Sequence, residues 1–259
     1  MENQSDRQTL SDAYEAFRRE RPDEAIRLLL PLCERDDAFS AVRSEAMQLY
    51  GIVLHDRGEI EQAAATIEKA EQMSPLNAVT RIALASAYAS LGRVGQARDL
   101  YLRMAIKRDL PSRLMLEIAA GLEAVGAPQS AVQVCQWVID AEPSNPQAHY
   151  DMGFYSARAG QPLYLSEAMT HRAIQLDPKN ISFRVGLASL LIQLDREDEA
   201  IAALNEIGSE ELRHVTCEDT LHRIASVLER HRRVGLARVF RVQASSLSGS
   251  NALAAGGLS

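Results

Sequence analysis

The chain has 259 residues, a formal net charge of −7, a pI near 5.5 and only 5% aromatic residues. The acidic balance argues against a nucleic-acid-binding protein, because phosphate contacts need a predominantly basic surface. Since this length exceeds what one compact core fills easily, we expect two domains or an elongated stack of repeats. The prevalence of Ala, Leu, Glu, Arg and Gln favours a stack of short helices.

The amino-terminal segment MENQSDRQTL lacks the basic start and apolar run of a secretion signal. The sequence also contains no run of about 18 apolar residues, the length needed to span a bilayer, so we expect no membrane insertion. The three cysteines, Cys33, Cys135 and Cys217, show no paired spacing for a disulfide framework or a zinc knuckle. These features predict a cytoplasmic protein.

Small residues recur along the chain with a period close to 34. The series is Ala63, Ala97, Ala131, Ser166, Ala200 and Ala237, with gaps of 34, 34, 35, 34 and 37 residues. Twelve residues before most of them, a large apolar residue is followed by Gly or Ala. These pairs are Tyr50-Gly51, Leu84-Ala85, Ile118-Ala119, Met152-Gly153, Leu187-Ala188 and Ile224-Ala225.

A series of paired helices explains this regular spacing of small residues. Two helices approach closely only where both offer small side chains, so Gly or Ala recurs at each crossing between larger apolar groups. Proline recurs at Pro75, Pro143 and Pro178, where we expect it to end the second helix of a pair. Glycines between paired helices are predicted to be left-handed caps. They are Gly58, Gly92, Gly126 and Gly160.

The pattern resembles the tetratricopeptide repeat (TPR) family, most directly in AMQLYGIVLHDRGEIEQAAATIEKAEQMSP, residues 46–75. The resemblance implies an all-α fold, a right-handed superhelical solenoid of about seven TPR-like helix-turn-helix repeats over residues 1–247. The expected repeats are 6–39, 44–77, 78–111, 112–145, 146–180, 181–214 and 218–247.

Several places depart from the family pattern. Pro31 is expected to interrupt the second helix of the first repeat. Residues 205–219 lengthen the connection before the last repeat by three residues. The terminal helix, about 235–247, is expected to cap the stack with Arg238 and Arg241 on its outer face. We expect the tail, 248–259, to be disordered.

The sequence contains no recognisable catalytic motif. GxxxxGKS/T, GxGxxG, HExxH and GxSxG are all missing, so we expect no enzymatic activity and no cofactor.

The one group of possible metal ligands is formed by His214, Cys217, His222 and His231. Their spacing does not match a zinc site, and we assign no metal. The last repeat is locally basic, which would suit an acidic partner, although solvated helix faces explain it more simply. These arginines are Arg223, Arg230, Arg232, Arg233, Arg238 and Arg241.

In the family that the chain resembles, the first helix of each repeat lines a concave wall. The corresponding positions here are mainly apolar and form the predicted groove. They are Tyr14, Phe17, Gln48, Ile52, His55, Ile82, Ser86, Leu116, Glu123, Tyr150, Phe154 and Ile192. The Lys, Asn and Arg residues with which such grooves clamp a terminal carboxylate are missing from these positions, so capture of a chaperone tail is not expected.

These features predict a non-catalytic scaffold or adaptor that binds an apolar or amphipathic segment of another protein. Three alternatives remain. The apolar positions could be ordinary core between neighbouring repeats, or the protein could self-assemble into homo-oligomers through its ends or its concave face. RNA binding by helical repeats is the weakest alternative, because the inner positions lack ordered polar pairs and the chain is acidic.

Overall fold

The computed structural model describes residues 4–35, 40–205 and 207–255, with side chains to residue 248. Within these ranges every element is helical, with fourteen α-helices and one 3₁₀ turn, Glu211–His214. The α-helices are α1 (Gln4–Arg18), α2 (Pro22–Cys33), α3 (Ala41–Asp56), α4 (Ile60–Met73), α5 (Ala78–Ser90), α6 (Val94–Ala105), α7 (Ser112–Ala124), α8 (Pro128–Ala141), α9 (Pro146–Arg158), α10 (Leu163–Leu176), α11 (Ile181–Gln193), α12 (Glu197–Ala203), α13 (Glu218–Arg230) and α14 (Val234–Ala255). The predicted all-α class is confirmed.

The chain divides into two compact units, Met1–Val138 and Ile139–Ser259. In the first unit, α1 packs on α2, α3 on α4 and α5 on α6, and the odd-numbered helices α1, α3, α5 and α7 also contact one another in order. In the second unit, the pairs are α9 with α10, α11 with α12, and α13 with α14, and α11 contacts α13. Within each unit, successive hairpins therefore place odd-numbered helices side by side, which creates a helical layer that can face a ligand.

Asparagine caps begin three of the odd-numbered helices, α5, α9 and α11. Asn77, Asn145 and Asn180 each lie two residues after a proline. Their side-chain oxygens accept from the backbone N–H groups of Thr80 at 2.9 Å, Ala148 at 3.0 Å and Ser182 at 3.1 Å. The proline ends one helix and the asparagine satisfies a free donor at the start of the next, so the P-x-N spacing fixes where hairpins meet.

The turns inside the hairpins adopt left-handed backbone conformations. The four predicted glycine caps have φ between 73° and 79°. In the other three hairpins the corresponding turn residue is not glycine: Glu20, Asp195 and Arg232 have φ of 56°, 57° and 59°. An L-residue in this region costs about 1 to 2 kcal/mol, so these three turns are held by the packing of the helices that they join.

The small residues lie at the helix crossings, as their spacing predicts. Ala63, Ala97 and Ala131 are fully buried. At Gly51 an added Cβ would lie 2.3 Å from Cγ1 of Ile67, and at Gly153 it would lie 3.0 Å from the carbonyl oxygen of Ser166. A larger side chain at these positions would force the paired helices apart.

Three boundaries differ from the sequence-based expectations. Helix α2 continues through Pro31 to Cys33, because a proline near the carboxyl end of a helix removes only one internal hydrogen bond. Helix α3 begins at Ala41, capped by Ser40, three residues before the expected start of the second repeat at residue 44. Helix α14 continues to Ala255, where we expected an unstructured tail after residue 247, since extending an existing helix avoids the cost of a new nucleus. The rest of the predicted tail, 256–259, lies outside the described residues.

Helix α12 is the shortest of the described α-helices, with seven residues. Its carboxyl end is covered by Arg184, whose Nε donates to the carbonyl oxygen of Ala203 at 2.9 Å and whose guanidinium also bonds the carbonyl of Asn205. An arginine at this place is favourable because its charge and its donors satisfy the last carbonyls of a helix. The early end of α12 leaves a long connection that continues to Cys217.

Candidate partner-binding surface

In the first unit, Tyr14 lines a shallow cleft with a volume of about 320 Å³. The tyrosine is 38% exposed, and the cleft also contains Leu10 and Val42. Burial, with a smaller contribution from the Glu45 carboxylate, raises the pKa of the Tyr14 hydroxyl. Phe17 is half-buried and packs against the core of this unit, so Tyr14 is the more accessible of the two aromatic residues.

The remaining predicted groove residues of this unit are more enclosed. Gln48 is buried, and its side-chain oxygen accepts from the backbone N–H and the side-chain amide of Asn77, both at 2.9 Å. Gln48 therefore holds α3 to the start of α5 and has no accessible amide for a partner. The other members of the set are half-buried: Ile52, His55, Ile82, Ser86, Leu116 and Glu123.

A serine and a histidine meet on this layer. His55 Nε2 lies 2.9 Å from Ser86 Oγ, and His55 Nδ1 lies 3.5 Å from a carboxylate oxygen of Asp56. The order of these groups is that of a hydrolase triad, but acyl transfer also needs N–H donors for the developing oxyanion. Ser86 lies within α5, whose backbone N–H groups donate along the helix. We interpret the pair as a link between α3 and α5.

The second unit contains a deeper cleft with a volume of about 530 Å³. Helices α9 and α11 form two of its walls, and the start of α13 with the connection before it forms another. Tyr150 and Phe154 lie in this cleft, so the structure brings together the two aromatic residues predicted for this part of the groove. Its lining also includes Gly153, Arg158, Val185, Ser189, Leu190, Val215 and Arg223.

The two aromatic residues of the cleft differ in their contacts and exposure. Tyr150 stacks on Phe183 with a centroid separation of 4.9 Å, and its ring covers Gly186, where an added Cβ would lie 2.2 Å from the tyrosine oxygen. Burial raises the pKa of the Tyr150 hydroxyl to about 12. Phe154, in contrast, is 51% exposed, and its ring lies edge-to-face with Tyr155 at a centroid separation of 5.6 Å. Tyr150 thus builds the wall and Phe154 offers free apolar surface.

Ile192 takes a different position. It is half-buried and packs against the apolar core of the second unit, and it does not line the cleft. Its neighbours on α11, Ser189 and Leu190, do line it. Helix α11 thus contributes side chains both to the apolar core and to the cleft, and Ile192 belongs to the core side.

Two arginines line the cleft. Arg158, Arg223 and His214 line it, and among the described residues no carboxylate does. Arg223 donates to Ser189 Oγ, which joins α13 to α11. Sequence reasoning missed Arg223 as a cleft residue, because it belongs to α13 and reaches the cleft only across the long connection. The sequence feature that could have indicated this contact is the lengthening of that connection by three residues.

Asp151 lies on α9 beside Tyr150. Burial raises the pKa of its carboxyl group from 3.8 to about 6, and a hydrogen bond from Gln147 Nε2 at 2.7 Å partly opposes that shift. The ionised form of Asp151 is therefore disfavoured in the folded chain.

Two of the four possible metal ligands are engaged in other contacts. His222 lies 3.5 Å from a Glu218 carboxylate oxygen and 3.1 Å from a guanidinium nitrogen of Arg241, and His231 lies 2.7 Å from a carboxylate oxygen of Glu197. Across the described ranges, no three His, Cys, Asp or Glu side chains are placed to hold a metal ion.

Ion pairs within the second unit partly neutralise the basic last repeat. Arg230 pairs with Glu197, and Arg241 pairs with Glu229 at 3.0 Å, so Arg241 does not project from the outer face of α14 as the helical pattern predicts. Instead, it lies between α14 and α13.

The described helices also include none that is both long and apolar enough to cross a membrane.

Comparisons with known proteins indicate helical repeats, as the hairpins of the structure do. One family profile, described as tetratricopeptide repeat, matches residues 11–78 and 51–113, and a second with the same description matches residues 167–213. Together these ranges cover more than half of the 259 residues. No curated protein sequence gives a match.

Solved structures share the fold at low sequence identity. A tetratricopeptide repeat protein from Parabacteroides merdae ATCC 43184 is 14% identical, with a TM-score of 0.71, over 95% of this chain and 94% of that chain. The pilF protein of Pseudomonas aeruginosa is 16% identical, with a TM-score of 0.58, over 79% and 91%. YrrB, described as a TPR protein with an unusual peptide-binding site, is 16% identical, with a TM-score of 0.54, over 73% and 90%.

Proposed function

Because the chain belongs to the tetratricopeptide repeat family, we propose that it is a non-catalytic scaffold that binds an apolar or amphipathic segment of another protein. Repeat proteins of stacked hairpins leave one layer of helices open to a partner, and their function lies in the side chains of that layer. The binding site that we propose is the layer of odd-numbered helices in each unit, with the cleft of the second unit as its principal anchor.

The observation that carries this proposal is the exposure of Phe154 in a cleft of about 530 Å³. An aromatic side chain left 51% exposed beside apolar neighbours gains most from a partner that buries it. The surrounding wall is fixed, since Tyr150 is wedged between Phe183 and Gly186. A preformed wall lowers the entropic cost of binding, which favours a segment that inserts one bulky side chain.

Tyr14 supports a second, weaker contact in the first unit. Its ring is 38% exposed and lines a cleft of about 320 Å³. The half-buried Ile52, Ile82 and Leu116 add apolar surface on α3, α5 and α7. We propose that this layer offers a partner a second contact, with a smaller gain in free energy per residue because less apolar area remains to be buried.

A pull-down from the cell that produces the protein tests the proposal. Phe154→Glu places a charge in the apolar cleft and should abolish recovery of the partner. Tyr164→Glu is the matched control, because Tyr164 is 66% exposed on α10 and does not line the cleft. Both variants should keep the parent circular dichroism spectrum and melting temperature. If the Phe154→Glu chain retains its partner, the cleft is not the anchor.

Self-assembly is a second candidate function, favoured by exposed apolar side chains on the last helix. Val234 is 66% exposed and Val242 is 59% exposed, both on α14. Such residues can pair copies of the same surface. Light scattering across a dilution series decides between the two functions, since self-assembly requires a mass that rises with concentration. A monomer at every concentration excludes it.

A further inference from the structure

The charges around the cleft of the second unit indicate what kind of segment it accepts. Arg158, Arg223 and His214 line it, together with hydroxyl groups, and no carboxylate lines it among the described residues. This is unusual for a chain with a net charge of −7. A basic cleft in an acidic protein steers acidic ligands to one place, because the rest of the surface repels them.

Arg223 binds a neutral group, whereas several arginines of its unit pair with carboxylates. Arg196 pairs with Glu167 and Glu199, and Arg241 pairs with Glu229. Arg223 is exposed and donates to the neutral hydroxyl of Ser189, with no described carboxylate partner. A guanidinium has five N–H donors in a planar fork that matches a carboxylate, so most of this capacity remains available to a ligand.

The contact with Ser189 also orients the guanidinium. Arg223 reaches from α13 to α11 and is held at the wall that carries Leu190 and Val185. A long side chain fixed in this way loses less conformational entropy when it binds a ligand than one that is free in solvent.

We propose that the cleft recognises an acidic segment of a partner protein, in which an Asp or Glu lies next to a bulky apolar side chain. The apolar group packs on Phe154 and Leu190, and the carboxylate binds the guanidinium of Arg223. This inference rests on the proposed function, since it assumes that the cleft is the anchor, and it adds the chemistry of the partner.

Peptide display on the full-length chain tests both ideas separately. Random peptides are selected on the parent protein, with the Phe154→Glu chain as counter-selection, and the enriched peptides are measured by fluorescence anisotropy. We expect enrichment of Asp or Glu beside aromatic or aliphatic residues. Arg223→Gln should weaken their binding about tenfold, as expected when a charge-assisted hydrogen bond is removed. Arg172→Gln, an exposed arginine on α10 outside the cleft, should leave binding unchanged.

Each other outcome overturns one of the two proposals. If enriched peptides need Phe154 but carry no acidic residues, or if they bind the Arg223→Gln chain as tightly as the parent, the acidic-segment inference fails and the proposed function stands. If no peptide is enriched over the counter-selection, the proposed function fails as well. Saturable binding of a single-stranded oligonucleotide that depends on Arg223 would show that the cleft accepts phosphate, which also contradicts the inference.

Discussion

Two glycines three residues apart should respond with opposite sign to the same substitution. Gly92 has φ of 73° in the turn between α5 and α6, whereas Gly95 lies inside α6 without a positive φ. An added Cβ at either position would meet no atom within 4 Å, so packing does not distinguish them. Only the backbone conformation differs, which isolates the geometry of the turn.

The expected magnitudes follow from that geometry. Gly92→Ala forces an L-residue into the left-handed region and should destabilise the chain by about 1 kcal/mol or somewhat more. Gly95→Ala reduces the entropy lost in forming the helix and should stabilise it by about 0.5 to 1 kcal/mol. Because each kcal/mol changes the melting temperature of a chain of this size by about 2 to 4 °C, the two variants should lie clearly on opposite sides of the parent.

Thermal and urea unfolding followed by far-UV circular dichroism provide the assay. Parent, Gly92→Ala and Gly95→Ala are measured side by side, and the m-value of the urea transition is compared to confirm that the same surface unfolds. Stabilisation by Gly92→Ala would refute the left-handed turn, and destabilisation by Gly95→Ala would refute the helical conformation of Gly95. Either result would contradict the helix boundaries on which the hairpin rests.

The remaining predictions concern single positions in the second unit. Arg232→Gly should stabilise the chain by about 1 kcal/mol in urea unfolding, because Arg232 has φ of 59° in the turn before α14. Gly186→Ala should destabilise it by about 1 to 3 kcal/mol, since the new Cβ would lie 2.2 Å from the Tyr150 oxygen, and a Tyr150→Ala background should reduce that cost. Asp151 has its pKa raised to about 6, so its contribution to stability is complete below the unfolded pKa and is lost as pH rises through 6. Asp151→Asn should therefore stabilise the chain at pH 7 by about 1 to 3 kcal/mol, and unfolding measured at several pH values should show that gain shrinking toward pH 4.

The sequence predicts the hairpin framework well because its signals are local. Ala63 and Ala97 lie at helix crossings where only small side chains fit, and glycines such as Gly58 mark turns that favour a left-handed residue. Asp195 and Arg232 adopt the same turn conformation without a sequence signal of comparable strength. Their backbone geometry is imposed by the helices on either side, which propensity alone does not reveal.

The cleft is only partly predictable, because side chains distant in sequence build it. The helical register correctly indicates Phe154 as an accessible aromatic residue of α9. It does not reveal that Asn77 donates hydrogen bonds to the side-chain oxygen of Gln48. Nor does it reveal that Arg223 reaches Ser189 from the next hairpin. These contacts depend on how α3 meets α5 and how α11 meets α13, so a register counted along one helix cannot supply them.

Site-specific photocrosslinking in the producing cell tests most directly whether a partner occupies the cleft of the second unit. A photoreactive phenylalanine analogue replaces Phe154 in one strain and Tyr164 in another, and the adducts are identified by mass spectrometry. The account predicts a covalent adduct with another protein at Phe154 and none with that protein at Tyr164, where the side chain is exposed but outside the cleft. An adduct with the partner only at Tyr164 would contradict it, as would an adduct at Phe154 solely with other copies of this chain.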